Sequence, residues 1–535
     1  MSKIILPVVQ VKELHLSDLK NKTQQCSCFS FLLYLFPIII FFIFVFCIIL
    51  QTFQHKNYEK LKVFNNEERR LFVKEMARDA WKAYALHAWG QDALEPVTKS
   101  AYQGWLGPNG GLTLIQALST LHVMGFDGEY QRARDWVITE FNFSAINQPV
   151  NVFVVVTEVI GSLLSNYALT SDKLFLSKAH QIAQILGPAY DTTDGLSYKK
   201  FNPTTGELVG DEVWLGEAGG QWLEYKFLSN VTGDKEIGAR IDRIREFFER
   251  VDIPKGLYLA SLDASTGMWS TDKSSLFAKA STFYSYLLKA YKQSGERDVK
   301  ALESYYEAIS GAEENFLIHY SPEGLLSVRE LDTLTDMYSE FMQHDSCYLG
   351  AMLALGADAL FHQEMDYVKA RVQQKEAERH FRLAQNITET CYIGSLMSKT
   401  RLPPAYLFFH DIKPISNMAY NRYYLSSELA ESYFILWRLT HDNKYREYSW
   451  RLVESLWSYT RLENGGFSNI DNVDQVPTLK INYQPPHFLS STLKYLFLTF
   501  SDDQTLSMEE WIFNRAGQPL PICGHNTMYP ALECR

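Results

Sequence analysis

The sequence predicts an all-α fold, a series of helix pairs stacked as an array or closed into an α-barrel. Apolar residues recur at helical spacing from the charged stretch QHKNYEKLKVFNNEERR almost to the end of the chain. A recurrent punctuation interrupts them: MGFDGEY (124–130), LTSDKLF (169–175), VTGDKEI (231–237), QSGERDV (293–299) and LTHDNKY (439–445). Asp172, Asp234 and Glu296 follow one another at steps of 62 residues, the long period of a helical-hairpin repeat.

Each punctuation stands between an apolar helix and an amphipathic one. Its acidic residue is placed to cap the second helix by accepting orphan backbone N–H groups. No Pro/Gly/Ser-rich linker divides the pattern, so residues 67–522 read as one domain with a C-terminal tail at 523–535. Short β-hairpins are expected in the connections at GLYLASLDASTGMW (256–269) and NGGFSNIDNV (464–473).

Composition narrows the function. The 535 residues are 46% hydrophobic and 14% aromatic, with a formal charge of −11. That charge argues against nucleic acid as a partner, and no phosphate-binding glycine pattern appears. The aromatic share suits a sugar-binding cleft, although cores use more aromatics than clefts do.

One segment leaves the globular class. Phe29–Leu50 holds 22 residues without a charge, enough to cross a bilayer. It is too long for a signal core, starts late, and lacks a small-residue cleavage site after Leu50. It is therefore expected to be a retained transmembrane anchor between a tail at 1–28 and a stem at 51–66. Lysines flank both sides, so the positive-inside rule does not orient it. Three sequons, at Asn142, Asn230 and Asn386, follow the span. So do Cys347, Cys391, Cys523 and Cys534, an even number that suits an oxidising lumen. The expectation is a short cytosolic tail, one anchor and a large lumenal domain.

The stretch VNVFVVVTEVIGSLLSNYAL (150–169) carries one ionisable residue, Glu158, in an apolar run. It reads as a helix, although its β-branched residues weaken helix propensity. Glu158 is then either a catalytic carboxyl in an apolar wall or a residue of a helix that has lost its chemistry.

Several segments together resemble one family. KEMARDAWKAYALHAWGQDALEP (74–96), LGEAGGQWLEYKFLSNVTGD, STFYSYLLKAY, MQHDSCYLGAMLALG, SSELAESYFILWRLTHDNKY and STLKYLFLTFSDD are similar to the signatures of class I α-1,2-mannosidases, glycoside hydrolase family 47. The resemblance runs in order from about Glu67 to Ile522. It implies an (α/α)7 barrel, a type II anchor in the endoplasmic reticulum or Golgi, and removal of α-1,2-linked mannose from high-mannose Asn-linked glycans. It further implies inversion, a bound Ca²⁺, and a disulfide between Cys347 and Cys391. Inverting hydrolysis needs a carboxylic acid and a carboxylate about 6.5–9.5 Å apart.

Set against the family motifs, the acidic centre is depleted. The acid position after Phe153 is Val154, and the following Arg position is Glu158. Glu158 lies ~6 Å along the helix axis from the acid position, too far for a geometry that fails over about 1 Å. The catalytic Asp position is Ser281, and a later Glu position is Ser285. Two acids of the first inner helix are Gln116 and Ser119. Ala405 and Ser491 stand where acids are expected, Ser426 and Ser427 replace an Arg-Pro pair, and Arg515 replaces the calcium-binding Thr. A cation there disfavours Ca²⁺ by charge and by bulk.

Other positions persist. Glu428 matches the general base and Glu431 its neighbour, while Glu217, Glu224 and His344 match further site residues. Glu428 could equally be a structural acid paired with Arg515 or another cation. Three readings remain open: an impaired mannosidase-like protein that binds high-mannose glycans or glycoproteins, a working mannosidase using Glu428 as base with Glu158 or Glu217 as acid, and a scaffold with no glycan affinity.

Overall fold

A computed structural model describes residues 64–277, 280–321, 324–361, 367–410, 413–416 and 421–530. The expected anchor at 29–50, its tail at 1–28 and Cys534 lie outside the described residues. Fourteen long helices run through the described residues. They are α1 (Asn66–His87), α2 (Leu112–Val123), α3 (Asp127–Thr139), α4 (Val152–Thr170), α5 (Lys173–Ile185), α6 (Trp222–Thr232) and α7 (Lys235–Arg250). There follow α8 (Ser281–Gln293), α9 (Val299–Glu314), α10 (Leu349–Phe361), α11 (Tyr367–Leu396), α12 (Glu428–Thr440), α13 (Asn443–Tyr459) and α14 (Phe488–Thr499).

The even-numbered helices pack in succession from α2 to α14, and α14 packs back on α2, which closes the ring. Each odd-numbered helix lies outside an inner one: α3 on α2, and so on to α13 on α12, with α1 on α14. This is a barrel of seven helix pairs. Sequence explains the two layers. Helix α2 is buried from Leu112 through Leu121 and α4 over most of its length, as inner helices must be. Outer α7 buries a stripe instead, Ile237, Ile241, Ile244, Phe247 and Phe248, with charge on its other face.

The punctuations are the turns between the layers. Ser171, Gly233 and His441 end α4, α6 and α12 in the left-handed conformation, with φ of 62°, 73° and 53°. The next residue, Asp172, Asp234 or Asp442, caps the outer helix through its side chain. Two residues earlier, Thr170, Thr232 and Thr440 accept the Asp backbone N–H. Two punctuations differ from expectation. In QSGERDV the cap is Asp298, which accepts from Ala301 N, while Glu296 has a positive φ of 66° and pairs with Lys292. In MGFDGEY, Asp127 is already the first helical residue, and no side chain caps α3.

The first expected hairpin forms: Leu262 bridges Trp269, with Asp263 N donating to Met268 O and Ser270 N to Ser261 O. Its Ser261–Asp263 strand also pairs with Glu212–Trp214, a partner that local turn chemistry does not specify. In the second segment Asn469–Ile470 pairs outside it, with Lys480–Ile481.

Helix α4 is long and apolar enough to span a membrane, but 78% of its apolar window is buried inside the domain. It is a core helix. Three of its polar side chains donate to the preceding turn: Thr157 to Phe153 O, Asn166 to Ser162 O and Thr170 to Asn166 O. Between Val155 and Ile160 it widens to a π-helix, and Phe488–Thr492 of α14 does the same. Such segments break the regular side-chain spacing and are frequent at functional sites.

Cys347, just before α10, is bonded to Cys391 of α11 with a Cα–Cα distance of 5.9 Å, as the resemblance implied. Cys523 is also disulfide-bonded. The same region is tightly packed at Gly350, where an added Cβ would stand 2.1 Å from Thr388 Oγ1 and 3.0 Å from Ser432 Oγ. Ser432 Oγ donates to Cys347 O and accepts from Ala351 N, so it cannot turn aside freely. Gly350→Val is therefore expected to destabilise the domain by about 1–3 kcal/mol, read as a lowered midpoint in urea unfolding. An unchanged midpoint would show that α10, α11 and α12 are less closely packed than described.

Candidate functional site

The last structured segment places the site. Trp511–Phe513 and Pro519–Pro521 form an antiparallel hairpin that packs on α8 and α4. Its tip, Asn514–Gln518, is self-braced: Asn514 Oδ1 accepts from Ala516 N and Gln518 N, each at 2.9 Å. Asn514 Nδ2 reaches Thr157 O on the π-segment of α4 and Glu224 Oε1 on α6, both at 2.8 Å. Gly517 sits at φ 67° against Ser491, whose Oγ would lie 2.8 Å from an added Cβ. Ser491 Oγ in turn donates to Ala516 O. The tip thus projects Arg515 and Ala516 into a cavity of about 210 Å³.

Of the residues singled out in sequence, Glu158, Ser281, Glu428, Glu431, Ser491 and Arg515 line this cavity. Gln116, Ser285 and Ser427 line it as well. Others stand apart. Glu217 is a capping residue whose carboxylate takes Trp214 N at 3.0 Å and the Asn151 side chain at 2.8 Å. Asn151 also caps α4 by accepting from Val154 N. Glu224 is fully buried behind the wall, accepting from Tyr286 OH and Asn514 at 2.8 Å each. Ala405 contributes its carbonyl to His344 N.

Sequence reasoning missed five lining residues: Thr282, Asp345, Tyr348, His487 and Ala516. Asp345 lay inside a quoted motif, next to His344, and its position beside a site histidine was the available signal. His487 bonds Tyr424 O at 3.2 Å, and burial holds its pKa down at about 4.

Charge in the cavity is organised around one ion pair. Arg515 Nη1 stands 2.8 Å from Glu158 Oε1, and the guanidinium lies over the Phe153 ring at 5.1 Å. Gln116 Nε2 donates to the other carboxylate oxygen at 2.6 Å, and Ser490 Oγ donates to Gln116 Oε1. Arg515 therefore pairs with Glu158, not with Glu428. Its side chain is 42% exposed, so the pair contributes on the order of 1 kcal/mol.

Glu428 lies 3.8 Å from His344 Nε2, and its Oε2 is shielded from solvent without a hydrogen-bond partner. Burial, then Asp345 and Glu431, push its carboxyl up to about 8, with Arg515 opposing. Asp345 is open to the cavity, yet enclosure by the barrel wall raises its pKa too, Arg515 again opposing. Glu431 is buried against Lys289 at 3.4 Å, and desolvation raises its pKa despite that partner. Burial also lifts Glu224 to about 7 and lowers His344 to about 4. Both shifts favour the uncharged forms of Glu428, which lines the cavity, and of His344, buried beside it.

The calcium implied by the resemblance does not fit this donor set. A calcium site wants six to eight oxygens with carboxylates among them. Among the described residues no group of three or more acidic, His or Cys side chains converges as a metal site. The Thr position carries the guanidinium, and both oxygens of the adjacent Glu158 are taken.

A larger cavity, about 610 Å³, lies elsewhere, and Glu431 lines both. Its cations are committed: Lys292 pairs with Glu296 and Asp358, and Arg438 donates to the carbonyls of Leu498, Asp502, Asp503 and Thr505. It offers no convergent reactive group comparable to the smaller cavity.

A carboxyl whose folded pKa is raised favours the folded state at low pH, and that contribution is lost as pH rises through the folded value. Glu428→Gln should thus leave stability near pH 5 almost unchanged and raise it at pH 8–9, by on the order of 2 kcal/mol. Thermal unfolding across that pH range checks it, and equal effects at both ends would contradict the shielded carboxyl.

The description Glycosyl hydrolase family 47 matches residues 76–522. The chain is 36% identical over 473 residues to mannosyl-oligosaccharide alpha-1,2-mannosidase IA of Drosophila melanogaster, covering 86% of this chain and 68% of that protein. It is 34% identical over 468 residues to mannosyl-oligosaccharide 1,2-alpha-mannosidase IA of Sus scrofa, again covering 86% and 68%. In fold it is similar to an alpha-1,2-mannosidase from Trichoderma reesei, with a TM-score of 0.75 at 20% identity, over 85% of this chain and 99% of that one. With its family match, its sequence identities and its closed ring of helix pairs, the chain belongs to glycosyl hydrolase family 47.

Proposed function

We propose that this chain is an α-1,2-mannosidase-like protein of N-glycan processing that binds high-mannose glycans or glycoproteins and hydrolyses them little or not at all. In this reading residues 29–50 anchor it as a type II protein of the endoplasmic reticulum or Golgi, with the barrel in the lumen. The observation that carries the reading is the state of the carboxylates around the cavity. Val154 stands at the acid position, Ser281 at the catalytic Asp position, and Glu158 is held by Arg515 and Gln116.

A carboxylate with both oxygens engaged cannot deliver a proton to a leaving oxygen without first breaking those bonds. Glu217 is no substitute, because its carboxylate caps a helix start. Glu428, at the base position, is raised to about 8 and is mostly protonated at pH 7, where a base must be ionised. Loss of one general acid typically removes about 10²–10⁴-fold of rate. Loss of acid, catalytic Asp and metal together leaves little, although such effects do not add. What persists suits binding: hydroxyl and amide side chains from Gln116, Ser281, Ser285, Ser427 and Ser491, together with Tyr348 and the Arg515–Glu158 pair.

One feature favours a second reading, residual hydrolysis. Asp345 brings a further carboxylate into the cavity with Glu428, and their ionisations oppose each other. Such a pair can in principle divide the acid and base roles.

The lumenal domain, incubated with a high-mannose glycan, is expected to show calorimetric binding and no release of free mannose above background. Mannose release that disappears in Asp345→Asn would support the second reading. Absence of both binding and release would leave a scaffold and overturn the proposal.

A further inference from the structure

Two substitutions from the family motifs look unrelated in sequence: Glu158 at an Arg position, and Arg515 at the calcium Thr position 357 residues later. The structure brings them to 2.8 Å, so the negative charge gained on α4 meets the positive charge gained on the hairpin tip. The surroundings hold this pair in place. Gln116 fixes the far carboxylate oxygen, Phe153 lies under the guanidinium, and Asn514 ties the tip to α4 next to both residues. All three supports come from different elements, so the guanidinium is anchored from α2, α4 and the hairpin at once.

We propose that Arg515 is a built-in cation that takes the place of the family's calcium, making both the fold of the cavity and its binding of sugar independent of divalent metal. The chemistry is compatible. A metal ion engages the oxygen lone pairs of sugar hydroxyls, and a guanidinium reaches the same lone pairs through its N–H donors. Arg515 is open enough to the cavity to do so while one edge stays on Glu158. The charge requirement is also met. A divalent ion beside Arg515 would face like charge, whereas Glu158 supplies a single negative charge that a single guanidinium balances. The sugar-binding part of this inference rests on the proposed function; the metal-independence part does not.

The test therefore has two arms. In the first, the wild-type lumenal domain is titrated with CaCl₂ by calorimetry and its melting temperature is compared in Ca²⁺ and in EDTA. No saturable uptake is expected up to about 1 mM, the weak end of protein calcium sites, with no difference in melting temperature. Arg515→Thr with Ser281→Asp should then gain calcium uptake and a melting temperature that rises with Ca²⁺. Tight calcium uptake by the wild type, or a melting temperature that falls in EDTA, overturns the proposal.

Because a single variant could simply unfold, the charge-reversed protein Glu158→Arg with Arg515→Glu is included. It should recover a large part of the melting temperature lost in either single variant, and no recovery overturns the pairing. In the second arm, calorimetric binding of a high-mannose glycan is compared with and without EDTA. Equal affinity, lost about tenfold or more in Arg515→Gln, is expected. Affinity abolished by EDTA overturns the replacement of metal. No binding in either buffer refutes the proposed function and the sugar contact of Arg515, while the first arm still decides the metal.

Discussion

The approach of the C-terminal hairpin to α4 at Gly161 sets the geometry of the cavity. A Cβ there would stand 2.5 Å from Asn514 Nδ2, the amide that links the hairpin tip to Thr157 and Glu224. The glycine lets the tip sit against the helix, and the π-segment just before it frees the Thr157 carbonyl for a bond from outside the helix. From that one contact follow the position of Arg515, its pairing with Glu158, and the burial of Glu224. A displaced tip would leave Glu158 uncompensated in an apolar wall, which is costly for any carboxylate.

The interior has been made nearly neutral rather than apolar. Ser and Gln side chains line the cavity, and the acids there are either paired or pushed toward protonation. Lys494 makes the same point from the opposite sign. It is fully buried, and it donates to Ser119 Oγ and Gly517 O at 2.7 Å each. Burial depresses the amine well below its usual range.

Sequence carried much of the fold because its signals are local. The Thr-x-Asp turns are legible since the Thr hydroxyl, the left-handed residue and the capping Asp all act within four positions. Glu296 was mistaken for a cap because spacing alone does not show which acid of QSGERDV follows the left-handed turn. The pairing of Ser261–Asp263 with Glu212–Trp214 joins strands about fifty residues apart, and periodicity is silent about partners. In the site, Glu428, Ser281 and Arg515, singled out from the motifs, line one cavity. The motifs could not show that Glu217 caps a helix, that Asp345 faces inward, or that Glu158 and Arg515 meet. Those are facts of three-dimensional contact between distant segments.

Chain order adds a temporal consequence to the hairpin. Residues 511–521 come after all fourteen helices, so during synthesis the helices are made before the hairpin that walls the cavity. Until that final strand pair docks, Glu158 and the buried face of α4 remain open to solvent and to other chains.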